Sequence, residues 1–198
     1  MIVNIDPGQI LPSVASFPGI DPVKFMLAGE QSVANRGIFR IMSRLPKHES
    51  VWDYPRPPRL ECIDWPLRVE DRGRILAATN RGLRVLETSH PPCYYFPPED
   101  VDFSLLEPSA TRTFCEWKGQ ARYWHLRTDN GLVEDVCWAY PDPRDERMRD
   151  HVSFYAGRVE ACYVADERIR PQEGDFYGGW ISSWVSGPFK GGPGTRTW

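Results

Sequence analysis

The chain has 198 residues, enough for one domain with added segments and cramped for two. Its 24 Lys and Arg against 27 Asp and Glu give a formal charge of −3, which removes the basic footprint of a nucleic-acid or anionic-membrane binder. A hydrophobic share of 41% with 13% aromatics excludes a disordered chain, and 19 prolines interrupt it too often for long helices.

In chain order, the N-terminal stretch MIVNIDPGQILPSVASFPG has no basic start and carries Pro7, Pro12 and Pro18, unlike a secretory or transit leader. Asp21-Pro22 opens a short helix, with a capping carboxylate and a proline in the first turn, and Val23, Phe25, Met26 and Leu27 give it apolar contacts. The stretch Tyr54-Pro55-Arg56-Pro57-Pro58 excludes helix and central strand, so residues 1–60 are expected to form an N-terminal arm with a short helix. Residues 61–170 read as a β domain. Leu67 to Glu70, the turn Asp71-Arg72-Gly73 and Arg74 to Thr79 make a first hairpin. Asn80 is placed to cap a single helical turn across Leu83, Val85 and Leu86. Cys93 to Phe96 forms a brief strand between the pairs Pro91-Pro92 and Pro97-Pro98. Lys118-Gly119 starts the strongest strand, along which Cys115, Trp117, Ala121, Tyr123 and His125 share a phase; it turns at Asp129-Asn130-Gly131 and returns through Val133 to Tyr140. A third hairpin pairs Val152 and Phe154 with Val159, Ala161 and Tyr163 across Ala156-Gly157-Arg158. The tail, residues 171–198, is rich in Gly and Trp, and Trp180, Trp184, Phe189 and Trp198 are too many large rings to leave in water. The expected fold class is mostly β, an antiparallel sheet that closes or folds over to bury one face.

The segments RVLETSHPPCYYFPPEDV, TFCEWKGQARYWHL, VCWAYPDP and HVSFYAGRVEACYV, in that order, resemble the DUF427 family of bacterial proteins over about residues 60–165. The tail DFYGGWISSWVSGPFKGGPGT is similar to the ending of its longer members. The resemblance implies a compact antiparallel β-tent or barrel-like domain, with two sheets meeting over a pocket and without the zinc cysteines usual in β-tents. It places Glu87 and Lys118 among the family's characteristic positions. The chain departs from the pattern at Phe114-Cys115-Glu116-Trp117, where a Cys-Pro pair before the Lys-Gly is more common. The family's function is not established, although a nucleotidyltransferase label is sometimes attached to it.

Chemistry-bearing residues are weighed against plainer roles. Glu87 and Lys118 beside aromatic rings can tune each other's ionisation, hold a polar ligand or transfer a proton; the same pair can equally pin a loop to a sheet. Tyr94, Tyr95, Tyr123, Trp138, Tyr140 and Tyr155 are amphipathic rings that line a cleft or fill a core. Ser89-His90 invites a nucleophile-and-base reading, but neighbours on a strand point to opposite faces and no GxSxG elbow is present. Cys93 or Cys115 with His90 or His125 has no informative spacing, and inert thiols are the plainer account. The five cysteines are dispersed without a CxxC or CxH pair, which predicts neither a disulfide framework nor zinc, and fits reduced thiols in the cytoplasm.

Glu99-Asp100-Val101-Asp102 is the one acidic cluster suited to a divalent metal, but the upstream Gly-Ser phosphate segment is missing and Pro97-Pro98 makes it a turn or cap. Gly187-Pro188-Phe189-Lys190-Gly191-Gly192 lacks the GK[ST] ending of a phosphate loop. The sequence therefore predicts no metal, no cofactor, and no nucleic-acid or membrane partner. The first reading is a small polar or aromatic ligand bound in a pocket of Glu87, Tyr95, Lys118, Tyr123, Trp138 and Tyr140. An enzyme using Lys118 and Glu87 in acid–base work on a small metabolite is the alternative, and a structural or protein-interaction module is the third.

Overall fold

Short apolar runs separated by proline and turn residues become short strands. In the computed structural model, which describes residues 48–195 and 198, these are β1 (Glu49–Ser50), β2 (Arg59–Cys62), β3 (Leu67–Asp71), β4 (Arg74–Thr79), β5 (Leu83–Glu87) and β6 (His90–Tyr95). They are followed by β7 (Leu106–Cys115), β8 (Gly119–Thr128), β9 (Gly131–Ala139), β10 (Val152–Phe154) and β11 (Ala161–Val164). The last four are β12 (Glu167–Arg168), β13 (Arg170–Pro171), β14 (Trp180–Ile181) and β15 (Val185–Ser186). The helix expected at Asp21-Pro22 lies outside the described residues, as does most of the arm.

The protein is mostly β, with several antiparallel sheets: β10-β9-β8-β7, β12-β11-β3-β4 and β2-β5-β6. The pair β13-β14 is also antiparallel, whereas β1 and β15 pair in parallel. Phe96 and Val152 exchange both backbone hydrogen bonds at 2.8 Å and join the three-stranded sheet to β10. Among the described residues no sheet closes into a barrel, which corrects the barrel-like expectation. Pro91 and Pro92 lie in β6, which is an edge strand of its sheet, where the missing N–H groups cost no ladder.

Three other expectations are corrected. Leu83 to Leu86 are all buried and pair with β2 on one side and β6 on the other, so the segment after Asn80 is a central strand and not a helical turn. A short apolar run does not separate helix from strand by period alone; its partners decide. Val152–Phe154 pairs with β9 and Ala161–Val164 with β3, so the residues between them cross from sheet to sheet where a third hairpin was expected. Cys115 ends β7, a strand the sequence reading did not include, and Glu116 to Lys118 form the turn to β8, closed by the pairing of Cys115 with Gly119. Gly119 has φ +98°, a conformation that favours glycine at the end of a three-residue hairpin loop.

Alternation along the central strands creates two apolar compartments. Tyr94 and Phe96 point from one face of the β6 chain into the main core, where Leu86, Cys137, Ala139, Val152, Phe154 and Trp180 also lie. Cys93 and Tyr95 point the other way, into a second cluster with Leu83, Val85, Ala121, Tyr123, Trp138 and Tyr140. The strands are thus buried on both faces.

The tail contributes to the main core. Trp180 is fully buried, packs on Tyr94 and Phe96 at ring-centroid distances of 5.3 and 6.1 Å, and donates its indole N–H to the Phe154 carbonyl at 2.9 Å. Trp180→Ala is expected to cost about 3–5 kcal/mol, as for a large buried ring, and a chemical-denaturation midpoint shift measures it.

Candidate functional site

The second apolar cluster opens into a cavity of about 240 Å³. All six residues singled out from the sequence, Glu87, Tyr95, Lys118, Tyr123, Trp138 and Tyr140, line it. Glu87 ends β5, Tyr95 ends β6, and Tyr123 and Trp138 face each other across the β8–β9 register with Tyr140 one alternation further. Tyr155 adds a wall, its ring 4.5 Å from that of Trp138 and its hydroxyl donating to the Phe176 carbonyl at 3.1 Å. Tyr123 Oη and Thr113 Oγ1 share a hydrogen bond of 2.7 Å. Tyr94, weighed as a lining ring, belongs to the main core instead, because its position on β6 has the opposite phase.

A strap from the tail completes the wall with Tyr177, Gly178 and Lys190. A Cβ at Gly178 would run into the Trp138 ring, so glycine lets the strap lie flat against the indole. Gln172 fixes the strap: its side-chain amide donates to the Lys190 carbonyl at 2.7 Å and its Oε1 accepts from Gly179 N at 2.9 Å. The Lys190 amide donates to the Ser89 carbonyl at 2.8 Å.

The ion-pair partner of Glu87 is Lys190, at 3.0 Å, and not Lys118. Both side chains are largely buried, and Arg56 reaches Glu87 at 3.5 Å from the solvent side. Burial pushes the Glu87 carboxyl up, but the charge and hydrogen bond of Lys190 outweigh it and hold the group below the usual carboxylate range. Lys118, carried on the turn, lies 5.9 Å from the centroid of the Tyr140 ring, and among the described residues no carboxylate comes within 4.0 Å of it. The Lys-Gly dipeptide was legible, but the cation that pairs with Glu87, Lys190, lies 103 positions away in a Gly-rich segment noted only for lacking the ending of a phosphate loop.

His90 and Cys93, considered as a catalytic pair, both line the cavity but are neutral. Burial pushes the His90 imidazole down to about 4, against its Nδ1–H hydrogen bond to the Pro91 carbonyl, and pushes the Cys93 thiol up to about 12. Tyr95 and Tyr140 are likewise held well above their ordinary values by burial. The Tyr95 hydroxyl is buried without a hydrogen-bond partner, the Trp138 ring meeting it edge-on but outside bonding geometry. The Ser89 hydroxyl is also buried and unpartnered, while His90 is engaged by Pro91. Neither His125, which accepts from Asp135 N at 3.0 Å, nor the Glu99–Asp102 segment reaches the cavity. Asp100 accepts from Thr79 at 2.6 Å and pairs with Arg81, and Asp102 caps the turn at Ser104. Among the described residues no group of three or more His, Cys, Asp or Glu is arranged to hold a metal.

The ion pair and the imidazole set the response to substitution and acid. Glu87→Gln leaves the Lys190 ammonium buried without its counter-charge and is expected to lose about 3–5 kcal/mol, whereas the double variant Glu87→Leu/Lys190→Met recovers most of it; denaturation midpoints distinguish the two. As pH falls, the unfolded chain protonates histidine near 6.5 while buried His90 resists to about 4. Stability is therefore full above pH 6.5 and falls between 6.5 and 4 by about 3 kcal/mol. His90→Gln is expected to flatten that slope in denaturation curves taken across this window.

No curated protein matches the chain. The family model described as domain of unknown function DUF427 matches residues 59–165, from β2 to just past β11. That segment carries Glu87, Tyr95, Lys118, Tyr123, Trp138 and Tyr140 and covers more than half of the sequence, and the chain belongs to the DUF427 family.

Proposed function

We propose that the protein binds a small organic molecule in the aromatic cavity, without chemistry of its own. The observation that carries this reading is convergence: rings from β6, β8, β9 and the strap surround one cavity whose lining also holds the largely buried Glu87–Lys190 ion pair and the unpaired Lys118. A core cluster with no role in binding needs neither. The volume of about 240 Å³ lies below the roughly 300–1,000 Å³ of sites for drug-sized ligands, which favours a single-ring or two-ring metabolite over a nucleotide. Acid–base chemistry by Lys118 and Glu87 is less favoured, because Glu87 is hydrogen-bonded to Lys190 and held ionised. A pure interaction module is less favoured because a lined cavity is present.

Native mass spectrometry of gently purified protein is expected to show a retained small-molecule adduct that Trp138→Leu loses while remaining folded by circular dichroism. An adduct-free wild type that no fragment of one or two rings stabilises against heat would overturn the reading.

A further inference from the structure

The charged groups around the cavity are not all paired. At neutral pH, Glu87 and Lys190 cancel, and His90, Cys93, Tyr95 and Tyr140 carry no charge. Glu116, on the same turn as Lys118, also lines the cavity but is exposed to solvent and makes no ion pair with it among the described residues. Lys118 is left as a half-buried cation over the Tyr140 ring. It lines the same cavity as Glu87, His90 and Cys93. A partly desolvated ammonium with only a ring face for company is an incomplete anion site, since a ring quadrupole offsets less of the desolvation cost than a carboxylate does.

Resting on the binding reading above, we infer that the ligand is a planar aromatic carboxylate, its ring against Trp138 and Tyr155 and its carboxylate on Lys118. Trp138 and Tyr155, whose rings pack on each other 4.5 Å apart at 46°, form one aromatic wall against which a third, flat ring can stack or set its edge. One unpaired ammonium matches a monoanion, whereas a phosphate dianion would bring a second charge that no unpaired cation of the lining meets.

The test is a titration of the ¹⁵N-labelled full chain at pH 7 with sodium benzoate, benzamide and sodium cyclohexanecarboxylate, following the Trp138 indole N–H and Gly178 amide signals. Benzoate is expected to bind on the order of tenfold more tightly than its neutral isostere benzamide, the difference of a charge-assisted hydrogen bond, and more tightly than the non-planar anion. Lys118→Met should bring benzoate down to the level of benzamide, and Lys118→Arg should keep the preference. If benzamide binds as well as benzoate to the wild type, or Lys118→Met leaves the preference intact, the anion inference fails while the binding site stands. If none of the three moves either signal, both fail. The wild-type comparison decides the matter even where the methionine variant does not fold.

Discussion

The structure depends on strands that are apolar on both faces. In a sheet with one wet face, alternation separates core from solvent. Here it separates core from cavity: Tyr94 and Phe96 go to the main core, Cys93 and Tyr95 to the second cluster, and β9 divides Cys137 and Ala139 from Trp138 and Tyr140 in the same way. A one-residue slip of β6 or β9 would exchange the two sets, driving the cavity's hydroxyls into a compartment that offers them no partners. Register and site are consequently specified together. Residues that position the cavity rings cannot be altered without disturbing the core behind them.

Polar groups in such a cavity must be neutral or paired. Burial achieves the first for His90, Cys93, Tyr95 and Tyr140 by displacing each toward its uncharged form. The Glu87–Lys190 pair achieves the second, and its geometry is supported beyond the two charges: the lysine backbone is held at both its N–H and its carbonyl, by Ser89 and Gln172. Pairs this enclosed seldom add much net stability, but they make one arrangement of the strap better than its alternatives. Ser89, at φ 64°, turns the chain from β5 into β6 and offers its carbonyl to the strap at that point.

Strand alternation and turn chemistry were legible where the pattern is local. The first hairpin appears as read, because Arg72 and Gly73 both adopt positive φ in a two-residue loop. The hairpin through Asp129-Asn130 appears as well. What failed was non-local. Leu83 to Leu86 looked like a helical turn because nothing nearby shows that β2 and β6 flank it. Val152–Phe154 and Ala161–Val164 looked like partners because they are neighbours in the chain, although each pairs into a different sheet. The same division holds for the site. Tyr95, Tyr123, Trp138 and Tyr140 could be grouped by phase, whereas Lys190 carries no signal in its own sequence context: a lysine between phenylalanine and two glycines looks like a surface residue until Glu87 is found beneath it.

That last residue also lies beyond the family segment, which stops at residue 165. The segment supplies the carboxylate, the turn lysine and most of the rings; the tail supplies the counter-ion and the wall of Tyr177 and Gly178. Without the tail, Glu87 would lose the ammonium that offsets its burial and keep only Arg56, at 3.5 Å on the solvent side. The tail therefore does more than cover the cavity. Lys190 neutralises Glu87 from the strap while Lys118 stays unpaired over Tyr140, so the two lysines of the cavity have separate roles, one in the pair and one free toward the lumen.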